Sequence, residues 1–179
     1  HSPQYPVPSP QYPAPGTMNP DIHMKIEDIL SDSSRATADM AVDIIRQQPA
    51  LFSDAYRLCM AQQGTMALRT ARVVQLVAEE HPGIFRPYFT DMVQRLHTLS
   101  HSSVKRCTMK VLTFYDLTDE EELHGLIIDT AFLRMNDPGE DVATRAYAIM
   151  VIRRFLHVYP EITGEYIAAL KFITANAKE

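Results

Sequence analysis

The chain has 179 residues, 46% hydrophobic and 22% charged, enough for one domain with a sizeable core. It shows no apolar run near the about 18 residues that would span a membrane and no basic-then-apolar secretory signal. Its two cysteines, Cys59 and Cys107, make no disulfide framework, so a reduced, cytoplasmic setting is expected. A formal charge of -5 argues against a broad nucleic-acid footprint, which needs clustered Lys and Arg.

Residues 1–23 hold seven of the twelve prolines, and Pro-Gln-Tyr-Pro occurs twice, at 3–6 and 10–13. Proline removes backbone donors and blocks helix interiors, so this stretch is expected to be disordered and polyproline-like. A ligand arm for an aromatic groove and an expression tag both fit it. The tag reading is preferred, because the chain starts with His and because His23-Met24 matches a cloning remnant ahead of a start codon. Residues 24–179 then form the folded domain.

From Met24 onward the apolar spacing is helical almost throughout. A short opening helix near 24–31 caps the stack. Helices follow at about 33–48, 50–62, 65–81, 84–99, 102–115, 119–135, 140–159 and 161–177. Pro49, Pro82 and Pro160 each end one periodic segment and open another, and Gly64 and Asn136-Asp137-Pro138-Gly139 mark further turns. Thr118 with Glu121 three residues on has the form of a capping box. Met40, Ile44, Ile45, Val73, Val74, Val77, Val111, Leu112, Ile149 and Ile152 are expected in one continuous core. Phe85, Tyr88, Phe89, Met92, Leu96, Leu123, Leu126, Ile127, Tyr166 and Leu170 join it from the alternate helices.

Arg35, Arg69, Arg106 and Arg145 recur at spacings of 34, 37 and 39, each leading a helix with an apolar face. Ser102-Ser103-Val104-Lys105-Arg106 and Glu140-Asp141-Val142-Ala143-Thr144-Arg145 carry the polar turn and the Val-x-Arg that lead the second helix of a hairpin. In these features the chain resembles the HEAT-repeat family over about residues 31–177, with armadillo-like repeats the close structural competitor. The resemblance implies an all-α fold, a right-handed α-α superhelix (solenoid) of about four HEAT-like helical hairpins. It also implies that the B helices (33–48, 65–81, 102–115 and 140–159) line the concave side. The repeated Arg35, Arg69, Arg106 and Arg145 would then form a structural ladder, each pairing with an acidic residue of a neighbouring repeat.

On the B helices, Arg69, Arg72, Gln75 and Glu79 are spaced as one helix face. Arg106, Lys110 and Thr113 follow in the next unit, and Arg153, Arg154 and His157 in the last. Outside the ladder, Arg72, Lys110, Arg153 and Arg154 are the candidate partner-binding residues, although such stripes also read as ordinary solvated faces. A basic strip on an acidic chain suits a protein or peptide partner, an acidic one in particular. Neither a membrane nor a nucleic acid is the expected partner. His97 and His101 share metal-ligand spacing but have no acidic or cysteine partner near in sequence, so no metal site is assigned. No catalytic residue, Gly-rich phosphate loop or cofactor motif is found, and no cofactor is expected. The expected role is a non-enzymatic interaction scaffold. The alternative is a HEAT-like nucleic-acid-binding protein or DNA alkylation-repair glycosylase. Those enzymes typically use tryptophan near the lesion, and this chain has none.

Overall fold

The computed structural model describes residues 24–176; residues 1–23, read above as a tag or arm, lie outside them. The elements are α1 (Ile26–Ile29), α2 (Arg35–Gln47), α3 (Leu51–Ala61), α4 (Gly64–Glu80), α5 (Pro82–Phe85), α6 (Phe89–Arg95), α7 (Ser102–Phe114), α8 (Glu121–Asn136), α9 (Val142–Phe155) and α10 (Thr163–Asn176). No strand occurs among the described residues. One row runs α2, α4, α7 and α9, each packed on the next. The other row runs α1, α3, α5–α6, α8 and α10, and the tightest hairpins are α3 on α4 and α8 on α9. A helix pair cannot bury its apolar face alone, so the core is one sheet of side chains between the rows.

Local chemistry sets the helix starts. The Ser34 hydroxyl accepts the Thr37 amide at 3.1 Å and opens α2, and Asp141 accepts the Thr144 amide at 2.9 Å and opens α9. The Asp141 cap moves the start of the fourth B helix from the expected 140 to Val142. The expected single helix over 84–99 is broken by a 3-10 turn at Arg86–Tyr88, because Pro87 lacks the amide an α-helix needs there. The expected capping box at Thr118 does not form. Asp116 Oδ1 accepts both the Thr118 amide (3.0 Å) and its hydroxyl (2.7 Å), and α8 starts at Glu121 without a side-chain cap.

Gln62 closes α3 in the left-handed region, at φ 56°, where glycine is the usual residue. Its side chain offsets the strain: Oε1 accepts the amides of Ser100 (2.6 Å) and His101 (3.0 Å) and ties the first hairpin to the next.

The expected core residues are buried or half-buried against the core, with one exception. Met40 is 49% exposed, because α2 is an end helix of its row and turns that face to solvent. Aromatic rings tie consecutive units of the α1–α10 row. Phe52 meets Phe85 and Tyr88 edge-on at centroid distances of 6.3 and 4.9 Å, and Tyr115 stacks on Phe89 at 4.1 Å. Cys59 and Cys107 are buried free thiols.

Phe85 is fully buried and touches three aromatic rings, whereas Phe172 is 64% exposed. Phe85→Ala is expected to destabilise the domain by about 3–5 kcal/mol, the usual cost of emptying an aromatic site. Phe172→Ala should stay within about 0.5 kcal/mol. Urea denaturation of the two variants checks this; equal losses would contradict the packing.

Candidate functional site

The cations of the α2–α9 row fall into two groups according to what their side chains already hold. Arg72 is exposed and Arg106 and Lys110 are half-buried. All three sit close enough to Cys107 to act on its thiol. Burial pushes that thiol above its ordinary range, against the pull of Arg106, Arg72 and Lys110. None of the three is in an ion pair among the described residues. Arg153 is exposed on α9 and is likewise unpaired among them.

Arg154 belongs to the second group. Nη1 donates to the Leu112 carbonyl at 2.5 Å and Nη2 to the Tyr115 carbonyl at 2.7 Å, so the guanidinium caps the C-terminal end of α7 and is not free for a partner. Gln75, expected on the polar stripe with Arg69 and Arg72, is buried in the row instead, and its Nε2 has no hydrogen-bond partner among the described residues. Of the four candidate binding residues, the structure thus brings Arg72 and Lys110 together with Arg106, and gives Arg154 a structural task.

The recurring arginines are arranged differently from the implied ladder. Arg35 pairs with Asp39 on its own helix at 2.6 Å. Arg69 reaches the Leu30 carbonyl at 2.7 Å, and Arg145 the Met135 carbonyl at 3.2 Å. Arg106 pairs with no carboxylate. Among the described residues none of the four forms an ion pair with an acidic side chain of a neighbouring repeat, although Asp141 lies near enough to Arg106 for the two charges to act on each other. Their targets at the helix ends are backbone carbonyls, which the helix termini leave without partners.

Three residues that the sequence reading did not single out carry the most buried ion pairing. The Glu140 side chain is 1% exposed, and its Oε2 accepts from Lys105 Nζ at 2.7 Å and lies 3.4 Å from Arg134 Nη1. Arg134 Nη2 also donates to the carbonyls of Leu96 (3.2 Å) and Leu99 (3.0 Å). The readable signal was the spacing: Lys105 and Glu140 stand 35 residues apart, one repeat length, in the two motifs that carry the family form. A second tie of that kind joins Tyr56 to Asp91 at 2.6 Å, with Arg95 on the same carboxylate at 2.8 Å. Burial and then that bond raise the Tyr56 phenol far above its ordinary value.

His97 is exposed and His101 half-buried. No group of three His, Cys, Asp or Glu converges as a metal site among the described residues, and no helix there is long and apolar enough to cross a membrane.

Two rows of helices, each joined to its neighbours by side chains one repeat apart, make this protein an α-solenoid of helical repeats. It belongs to the HEAT-repeat family: the model of the HEAT repeat domain matches residues 26–178. Comparison with curated proteins and with solved structures gave no match. HEAT-repeat domains are generally non-enzymatic scaffolds, and their common work is protein interaction.

The division of the cations has a direct consequence. Arg154→Ala strips two carbonyls at the end of α7 of their donor and is expected to cost about 1–3 kcal/mol. Arg153→Ala, one residue away and unpaired, should stay within about 0.5 kcal/mol. Thermal and urea unfolding of both variants decide it, and similar small losses would contradict the capping role of Arg154.

Proposed function

We propose that this scaffold docks an acidic segment of a partner protein along the α2–α9 row, over Arg72, Lys110 and Arg153. One observation carries the reading: Arg72, Arg106 and Lys110 gather around Cys107 with no carboxylate paired to them, in a chain of net charge -5. Like charges held together repel, and an acidic chain has ample carboxylates to neutralise them. Their arrangement favours a negative group supplied from outside, where complementary charge gives on-rate and register. Family membership supports protein interaction as the general task. Asp32 lines the same cavity as Arg72 and Arg106, and Asp141 acts on Arg106, which disfavours a long polyanion that needs a continuous basic track.

The test is fluorescence anisotropy with a labelled peptide rich in Glu and Asp, at about 150 mM salt, where distant surface charges are screened. The variant Arg72→Glu, Lys110→Glu, Arg153→Glu is expected to bind at least about tenfold more weakly, because complementary charge becomes like charge. Duplex DNA in the same assay should bind no tighter than the about 10⁻⁴–10⁻⁶ M of non-specific contacts. Peptide affinity untouched by the three glutamates, or nanomolar DNA binding that they abolish, would overturn the proposal.

A further inference from the structure

A cavity of about 250 Å³ lies where the loop before α2 meets α4 and α7. Four guanidinium groups line it, those of Arg35, Arg69, Arg72 and Arg106, together with Asp32 and the hydroxyl-bearing Ser33. Their commitments differ. Arg35 is neutralised by Asp39. Arg69 spends Nη1 on the Leu30 carbonyl and points Nε toward Ser33 Oγ, at 3.5 Å. Asp32 is held by the Ser34 amide at 2.8 Å. Arg72 and Arg106 pair with no carboxylate among the described residues. Asp32 and Asp39 offset two of the four arginines, and Asp141 of the next unit acts on Arg106 from beyond ion-pair distance, so the space keeps a net positive charge.

We infer that this cavity receives a phosphoryl group carried on a serine or threonine of the docked segment, with Arg72 and Arg106 as its principal ligands. Three features select that group. Its charge of about -1.5 to -2 at neutral pH suits two arginines that are in no ion pair, where a single carboxylate brings half that charge. The planar fork of arginine gives paired hydrogen bonds to phosphate oxygens, and both free cations are arginine. The space is smaller than the about 300–1,000 Å³ of a pocket for a drug-sized ligand, so it suits one compact group on a chain that continues along the row. Arg69 is held by the Leu30 carbonyl at the same space and can contribute its Nη2 donors. The inference rests on the docking of an acidic segment proposed above and adds a phosphorylation dependence to it.

The experiment uses three labelled acidic peptides, identical except for one central residue: serine, phosphoserine or glutamate. The phosphoserine peptide is expected to bind about tenfold more tightly than the serine form, with the glutamate form between them. Arg106→Gln and Arg72→Gln, each checked for an unchanged helical circular dichroism spectrum, should remove that gain. The readout is the ratio of phosphoserine to serine affinity in each variant, because Arg72 and Arg106 also belong to the cation cluster that docks the acidic segment and their loss weakens both peptides. Equal affinity of the serine and phosphoserine peptides, or a gain that survives both variants, overturns the inference while leaving acidic docking in place. Should none of the peptides bind, docking has failed, and titration of inorganic phosphate against chloride, read on the arginine Nε–Hε resonances, decides the inference alone. Saturating shifts lost in Arg106→Gln support an anion site, and their absence overturns it. Single-stranded DNA binding more tightly than the phosphoserine peptide, in a manner lost with Arg106→Gln, would assign the cavity to a nucleic-acid backbone and also overturn it.

Discussion

The Glu140 carboxylate holds the middle of the solenoid together. It is nearly sealed from water and satisfied by Lys105 of α7, by Arg134 at the end of α8, and by the Asp141 amide at 3.3 Å. Arg134 carries the link onward to the carbonyls of Leu96 and Leu99, where the preceding unit ends. One cluster therefore fixes α6, α7, α8 and the start of α9 relative to each other. A buried ion pair gives little net stability compared with apolar packing, but removing one partner strands the others in a low dielectric. Its effect is to make alternative registers of the stack costly, which is what a repeat protein with similar helices needs.

The remaining ties follow the same geometry. Among the described residues, every side-chain hydrogen bond that joins residues more than a dozen apart spans 32 to 42 positions, about one repeat. His124 is an example: its ring is held between the Tyr159 hydroxyl and the Leu117 carbonyl, both at 3.0 Å. Each unit is thus bonded to its neighbour and to nothing further, the condition for a one-dimensional stack. Arginine does much of this work by reaching backbone carbonyls at helix ends. Arg69, Arg134, Arg145 and Arg154 are spent in that way. Arg72, Arg106, Lys110 and Arg153 are not, and it is this remainder on which the proposed docking of an acidic segment rests.

The helices and their order were legible because apolar spacing and proline punctuation report local structure. Eight expected segments and the opening turn match elements of the fold within a few residues, and Pro87 accounts for the one that breaks. The recurrence of Arg35, Arg69, Arg106 and Arg145 revealed the repeat but not the partners of those arginines. A guanidinium can satisfy a carboxylate or a carbonyl, and only the packed helix ends decide which. Arg154 and Arg153 are adjacent in sequence, yet the turn of α9 points one at the end of α7 and leaves the other exposed. Gln75 fitted a polar stripe by spacing and was buried by the neighbouring helices, which sequence periodicity does not weigh. Glu140 stood in a quoted motif, but its value depends on Lys105 and Arg134 arriving from two other helices.

The central claim is that Glu140 couples adjacent units through Lys105. A double-mutant cycle with Lys105→Met and Glu140→Gln, measured by urea unfolding at neutral pH, isolates that coupling from the packing around it. The account predicts that the two losses are not additive, with an interaction energy of about 1–3 kcal/mol. Losses that add to within about 0.5 kcal/mol would show that the pair does not couple the units.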